Sequence, residues 1–223
     1  MAGPARQRYR ITFSKTEAMR FTGHLDLHRT WERTFRRAAL PLAYSAGFNP
    51  QPKINIGAAL PLGCLSEGDL IDVWLESEVD PLQVESSLRL AAPPGIQVDE
   101  VRPIEPKEPV LQSVVRAAIF EAASPNLLSP DEMDHRIEAL MQCEQLPRVR
   151  RSKSYDLRPL IEELRLDRAT SKLWMRLVSR EGATGRPEEV LDALGLDPTD
   201  FVIRRTGLVL SQPEVAPPPP PSP

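Results

Sequence analysis

The sequence predicts an α+β protein made of two tandem ferredoxin-like (βαββαβ) repeats with antiparallel sheets, and three observations carry that expectation. Alternating and helical apolar patterns follow one another in the order βαββαβ over roughly the first hundred residues. A proline-dense segment, Pro103 to Pro109, then reads as a linker. Beyond it the same order returns, as a match of pattern rather than of residue identity. The expected boundaries are 1–105 for the first lobe, 110–212 for the second and 213–223 for a disordered proline-rich tail.

In the first strand, Arg8 to Ser14, Tyr9, Ile11 and Phe13 alternate with Arg8, Arg10 and Thr12, so one face is covered and the open one is basic. The next segment, Leu25 to Leu40, is a helix with Leu27, Trp31, Phe35 and Ala38 on one side. Arg29, Arg33 and Arg36 keep the same spacing offset by two residues. That offset is about 200° of helix, which puts them on the solvent side. An irregular strand from Leu42 to Ile56, a turn around Pro61 to Gly68 and a regular strand from Leu70 to Glu76 make a long hairpin. Asp80 caps a second helix with Pro81 at its first position, Pro93-Pro94-Gly95 stops it, and Ile96 to Val101 is the last strand of the lobe.

The second lobe opens with a strand from Val114 to Ala122. Ser129-Pro-Asp-Glu132 is a capping box, and Met133, Ile137, Leu140 and Met141 form the apolar stripe of the helix that follows. Arg148 to Leu164 reads as a second irregular, basic strand and Lys172 to Ser179 as a regular one. The loop REGATG, a short helix from Pro187 to Leu194 and a strand from Phe201 to Leu210 complete the order.

A net charge of -3 conceals an asymmetry. Residues 1–53 hold ten Lys/Arg against three Asp/Glu, whereas residues 54–110 hold three against eleven. Charges act locally, within about 10 Å at ordinary salt, so a basic region can bind anions in an acidic protein. Cys64 and Cys143 are far apart, which encodes no disulfide framework and no zinc or iron-sulfur site. No apolar run approaches the ~20 residues of a membrane span and no signal-peptide core is present, so the expected location is the cytoplasm.

The stretch Ser45 to Asp69 is shaped by backbone needs, with Gly47 and Gly57 permitting unusual φ and Pro50, Pro52 and Pro61 each removing a donor. Gly47, Phe48 and Asn49 read as a loop tip that projects at a fixed angle, with Lys53 returning into the strand. His24 and His28 lie one helical turn apart. No third ligand accompanies them and Asp26 between them reads as a cap, so no metal is expected. With Tyr44 and Lys53 at the same end of the sheet they would supply a base, an acid and a cation for metal-independent RNA cleavage.

Phosphate binding asks for less geometry. Its candidates are the arginine stripe, the cluster Arg148, Arg150, Arg151, Lys153 with Arg158, and the REGATGR loop. In that loop Gly182 and Gly185 allow a concave run of amide N–H groups, with Arg180 and Arg186 beside it. The plain alternatives are a solvated helix face, a charged sheet edge and a simple turn.

In GHLDLHR, YSAGFNPQPKINIGAALPLGCLSEGD and SYDLRPLI the chain resembles the bacterial radical-SAM-linked, or radical-SAM-associated, family of unknown function, in its standalone form. The resemblance covers nearly the whole chain and implies a radical-SAM partner on a separate chain rather than an activity. The C-x-x-x-C-x-x-C cysteines that would hold the cluster are not in this sequence. The resulting expectation is a monomeric, cofactor-free accessory protein that binds RNA or a phosphate-bearing substrate. The alternatives are a docking module, contacting its partner through Phe48 and Pro61-Leu62, and a ribonuclease.

Overall fold

A computed structural model of the chain describes residues 7–105, 107–150 and 152–211; Pro106, Arg151 and the expected tail at 213–223 lie outside the described residues. Strand β1 (Gln7–Lys15) leads through α1 (His24–Arg37) to β2 (Ile54–Ile56), β3 (Leu65–Leu75), α2 (Pro81–Ala91) and β4 (Ile96–Ile104). The short helix α3 (Leu111–Val114) precedes β5 (Val115–Ala123), α4 (Pro130–Gln142) and a hairpin of β6 (Pro147–Arg150) and β7 (Lys153–Asp156). Then come β8 (Ile161–Asp167), β9 (Lys172–Arg180), β10 (Ala183–Thr184), α5 (Pro187–Ala193) and β11 (Val202–Leu210). The fold is mixed α+β around a mostly antiparallel sheet.

Two helix starts follow directly from their residues. The Asp80 carboxylate accepts from Leu82 N at 2.8 Å and the Ser129 hydroxyl from Glu132 N at 3.4 Å, each with proline next in the chain. Asp26 does not cap α1. Gly23 holds that position, and Asp26 sits in the first turn, where a negative charge suits the helix dipole.

The first half pairs its strands in the order β4-β1-β3-β2 and the second in the order β11-β5-β9-β8. The sheets expected to be separate are one, because β11 runs parallel to β3 through Arg204↔Leu65 and Arg205↔Ser66. The reason is the length of β3. It starts at Leu65 rather than Leu70; β2 covers its edge only along Ile71 to Val73, and β11 pairs with the earlier part.

Helices cover one face of this sheet. Leu27, Trp31 and Phe35 of α1 and Val84 and Leu88 of α2 pack on Tyr9, Ile11, Phe13, Ile71, Val73 and Leu75. Met133, Ile137 and Leu140 of α4 and Val190 and Leu191 of α5 pack on Phe120, Ala122, Leu173, Met175 and Leu177. Leu60 and Cys64 from the glycine- and proline-rich stretch insert into this second core, so that stretch belongs to both halves.

Three expectations are corrected. The other face of β1 is not open: Arg8 and Arg10 are 1% and 4% exposed, both bonded to the fully buried Asp72, and Arg8 also donates to the carbonyls of Glu108 and Pro109. Residues 108 and 109 of the expected linker therefore lie over the sheet, and its first residues, Pro103 and Ile104, extend β4. The two irregular strands are broken. Leu42 to Lys53 makes only the isolated bridges Leu42↔Leu75 and Tyr44↔Pro52, because its prolines cannot supply a full ladder, and the second divides into the β6–β7 hairpin, which leaves the main sheet, and β8, which stays in it beside β9.

Candidate functional site

The stretch from Gly57 to Cys64 is fixed at three points. Gly57 N donates to Leu70 O at 2.9 Å, the carbonyls of Ala58 and Ala59 accept from Arg205, and Leu60 and Cys64 are buried in the second core. Arg205, 1% exposed, also grips Asp69 through Nε–Oδ1 at 2.7 Å and Nη2–Oδ2 at 2.8 Å. Two charges this deep need such complete pairing, since either alone would be strongly destabilising. Burial, with Glu188 nearby, pushes the Cys64 thiol up to about 12, so it stays protonated and unreactive.

Opposite this stretch runs the segment from β9 into α5. Gly182, at φ +77°, makes the tight turn between Arg180 and Ala183. Gly185 is buried against β9 and the residue before β8: a Cβ there would lie 2.8 Å from Leu160 O and 3.0 Å from Leu177 Cβ, so only glycine fits this approach. Its N–H donates to Val178 O, so the loop is a hairpin turn, not the expected concave run of amides.

Three adjoining clefts open along this segment. The largest, about 690 Å³, lies between the β6–β7 hairpin and the 182–186 segment and is lined by Arg150, Lys153, Tyr155, Gly182, Thr184 and Arg186, among others. A second, about 240 Å³, is walled by Leu60, Pro61, Leu62 and Phe120, with Ser179, Thr184, Arg186 and Arg205 on its polar side. A third, about 310 Å³, holds His24 and Gln112 against Gly57 to Ala59, Arg180 and Thr184. Thr184 lines all three, so they form one groove at the junction of the halves.

The electrostatics of the largest cleft are unbalanced by design of the hairpin. Arg150 and Lys153 are directly paired across β6 and β7, and neither makes an ion pair with a described residue. Like charges facing each other across a ladder repel, and an anion between them removes the repulsion. Arg186 stands nearby, with Nη1 3.5 Å from Glu188 Oε1. Burial holds the Glu188 carboxyl above its usual range, opposed by Arg150, and raises Glu189 in the same way against Arg150 and Arg148. Glu188 Oε2 and Glu189 Oε2 are buried without a hydrogen-bond partner among the described residues.

Sequence reasoning flagged Arg150, Lys153, Gly182 and Arg186, which meet in the first cleft, and Gly185, Arg180 and His24, which line the rest of the groove or stand beside it. His24 is half-buried with Nδ1 unpartnered, and burial, then His28 and Arg205, hold its imidazole below the usual range. His28 turns away to Glu32, Nδ1 to Oε1 3.1 Å. Among the described residues no three His, Cys, Asp or Glu gather as metal ligands.

Tyr44 and Lys53 line none of these clefts. They flank Trp74, four residues along β3 from Leu70, where Gly57 pairs, which is about 13 Å of strand. Arg29, Arg33 and Arg36 stand on the exposed side of α1, and Gly47, Phe48 and Asn49 form the exposed tip of a loop closed by Ser45 N to Gln51 O at 2.8 Å. Arg148 pairs with Asp192 at 3.3 Å, and Arg158 is spent on the carbonyls of Met141 and Ile161.

Residues not flagged include Tyr155, Thr184, Ala59, Phe120 and Arg205. Thr184 lay inside the REGATGR loop, Ala59 inside the glycine- and proline-rich stretch and Tyr155 inside the SYDLRPLI motif, where Asp156 pins the hairpin by accepting from Leu146 N and Arg158 N; Phe120 and Arg205 carried no signal.

The model of a family described as "Uncharacterized protein conserved in bacteria (DUF2344)" matches residues 8–187. The chain belongs to this family. No curated protein matches the chain. Among solved structures it is similar to an unknown protein from Galdieria sulphuraria, at 13% identity and a TM-score of 0.27, over 93% of this chain and 99% of that one. It is also similar to DyPB from Rhodococcus jostii, at 10% identity and a TM-score of 0.23, over 94% and 93%. Likenesses this low carry no argument about fold or function.

Proposed function

We propose that the chain is a cytoplasmic accessory protein of a radical-SAM enzyme, built as two tandem ferredoxin-like repeats, that binds RNA or another phosphate-bearing ligand in the junction groove. The observation that carries this reading is the meeting of Arg150, Lys153 and Arg186, from segments some thirty residues apart, around one cleft of about 690 Å³. Arg150 and Lys153 face one another without an ion-pair partner among the described residues, and together with Arg186, which is shared with Glu188, they form a site whose charge an anion would balance. The radical-SAM partner is carried by the sequence resemblance. Unpaired Cys64 and Cys143 suit a reducing compartment, and no described helix is long and apolar enough to cross a membrane.

The test is fluorescence anisotropy with a single-stranded RNA oligonucleotide across a salt series. Arg150→Ala with Lys153→Ala should weaken binding and lower the log-log salt slope by roughly 0.7 per lost phosphate contact, with unchanged circular dichroism. An unchanged slope in a folded variant would sink the site. A tagged pull-down with and without ribonuclease tests the partner. A radical-SAM protein recovered only with RNA, or not at all, argues against direct docking.

One observation favours docking as a second role. Phe48 is fully exposed at its loop tip and Leu62 is 67% exposed, as anchors for a protein contact would be. Phe48→Ala should then reduce recovery of the partner without changing RNA affinity.

A further inference from the structure

The groove is more specific than an anion site. From its shape we infer that the ligand is a phosphorylated nucleoside, with its phosphate among Arg150, Lys153 and Arg186 and its base in the pocket walled by Leu60, Pro61, Leu62 and Phe120. This rests on the anion-binding reading above and goes beyond it by naming the ligand class.

Three features of the pocket select that class. First, it shares Thr184 and Arg186 with the basic cleft, so a group in it is separated from the phosphate site by only one or two side chains. Second, it is two-sided: aliphatic and aromatic carbon on the 60–62 and Phe120 wall, and hydroxyls and a guanidinium from Ser179, Thr184 and Arg205 on the other. A nucleobase is apolar on its faces and polar at its edge, and matches both sides at once. Third, the pocket is small. At about 240 Å³ it holds the volume of roughly eight waters, enough for a ring system and too short for an acyl chain.

Arg205 is a fixed part of this wall. Its bonds to Asp69, Ala58 and Ala59 use four of the five guanidinium N–H groups, leaving one on Nη1 for an acceptor on a base edge. A sugar phosphate without a base would leave Pro61 and Leu62, the open part of the apolar wall, uncovered.

The experiment is calorimetric titration of the full chain with ribose 5-phosphate, each of the four ribonucleoside 5′-monophosphates, the matching nucleosides and a short 5′-phosphorylated RNA. At least one monophosphate should bind roughly tenfold or more tighter than ribose 5-phosphate and than its own nucleoside. Ala59→Trp, at an exposed position bordering the pocket, should erase that advantage and leave ribose 5-phosphate binding unchanged. Leu62→Asn, a neutral change on the exposed rim, should do the same and guards against a folding defect in the first variant.

If every monophosphate binds only as well as ribose 5-phosphate, or both variants keep the advantage, the base pocket is wrong while the anion site stands. If no phosphorylated probe binds at all, the anion-binding reading itself falls. The RNA arm separates the sources of the ligand. Tighter binding than the best monophosphate with a steeper salt slope marks a strand terminus, and equal affinity marks a free nucleotide.

Discussion

The two halves pair their strands in the same order, yet they finish the face away from their helices in opposite ways. In the first half Arg8, Arg10 and Asp72 are sealed under residues 108–109, with Asp72 fully buried and accepting from both arginines. In the second half the equivalent face is a set of surface pairs, Lys172 with Glu121 and Arg176 with Glu162, and Arg204 reaches across to Glu67 of β3. Each half also lays an arginine on a tryptophan of its central strand, Arg8 on Trp74 at 4.6 Å and Arg165 on Trp174 at 4.5 Å. Alternation in sequence is thus compatible with either a structural or a solvated polar face. What decides is whether another segment crosses it.

The largest expected effect tests this contrast. Asp72→Ala leaves two buried guanidinium groups without the buried carboxylate they share, with only the distant, partly exposed Glu108 beside Arg10, and should cost about 3–5 kcal/mol in chemical denaturation. Glu121→Ala removes one side of a pair whose side chains are 41% and 32% exposed, and should cost no more than about 1 kcal/mol, less at high salt. Similar costs for the two would break the comparison.

This difference also marks where the sequence stopped being legible. The period-two pattern of β1 correctly put Tyr9, Ile11 and Phe13 under the helices, but nothing local to Arg8 or Arg10 says that residues a hundred positions on will cover them. The caps at Asp80 and Ser129 were readable because their partners are two and three residues away. The groove was readable in pieces. Arg150, Lys153, Gly182 and Arg186 stood out as cations and turn glycines, but their meeting depends on β10 folding back along β9 and on the hairpin leaving the sheet. Arg205 carried no signal, and Thr184 only that of its REGATGR loop, because their roles arise only where β11 joins β3 and where the three clefts converge.

Next in size are two glycines that hold their halves by different means. Gly185→Ala should destabilise by about 1–3 kcal/mol, because its methyl would press on Leu160 O and Leu177 with nowhere to go. Gly47 has open space around it, and its constraint is the backbone alone, at φ +135°. Gly47→Val should cost a similar amount, about 1–3 kcal/mol, through strain, whereas Lys53→Ala in the same loop should stay within about 0.5 kcal/mol. If Gly47→Val is neutral, the loop has another conformation available and does not present Phe48 at a fixed angle.

The smallest effect concerns how each half treats a buried carboxylate. Both oxygens of Asp72 accept hydrogen bonds, while Glu188 has Arg186 near one oxygen and no partner among the described residues on the other. Burial therefore raises the Glu188 carboxyl above its unfolded value, and Arg150 only partly offsets it. For an acid whose folded value is raised, the native state binds the extra proton in the window between the unfolded and folded values. Stability is then greatest below that window and declines as pH rises through it, the reverse of a salt-bridged aspartate. Glu188→Gln removes the titration, so the variant should be the more stable protein at pH 7 and lose that advantage as pH falls to 4. Because Glu188 is partly solvated the difference should be small, and urea denaturation of both proteins at several pH values reads it directly. Should the variant instead be less stable at pH 7, Glu188 is held by Arg150 and Arg186 as a true ion pair. The cleft would then have less positive charge to offer an anion than its cations suggest.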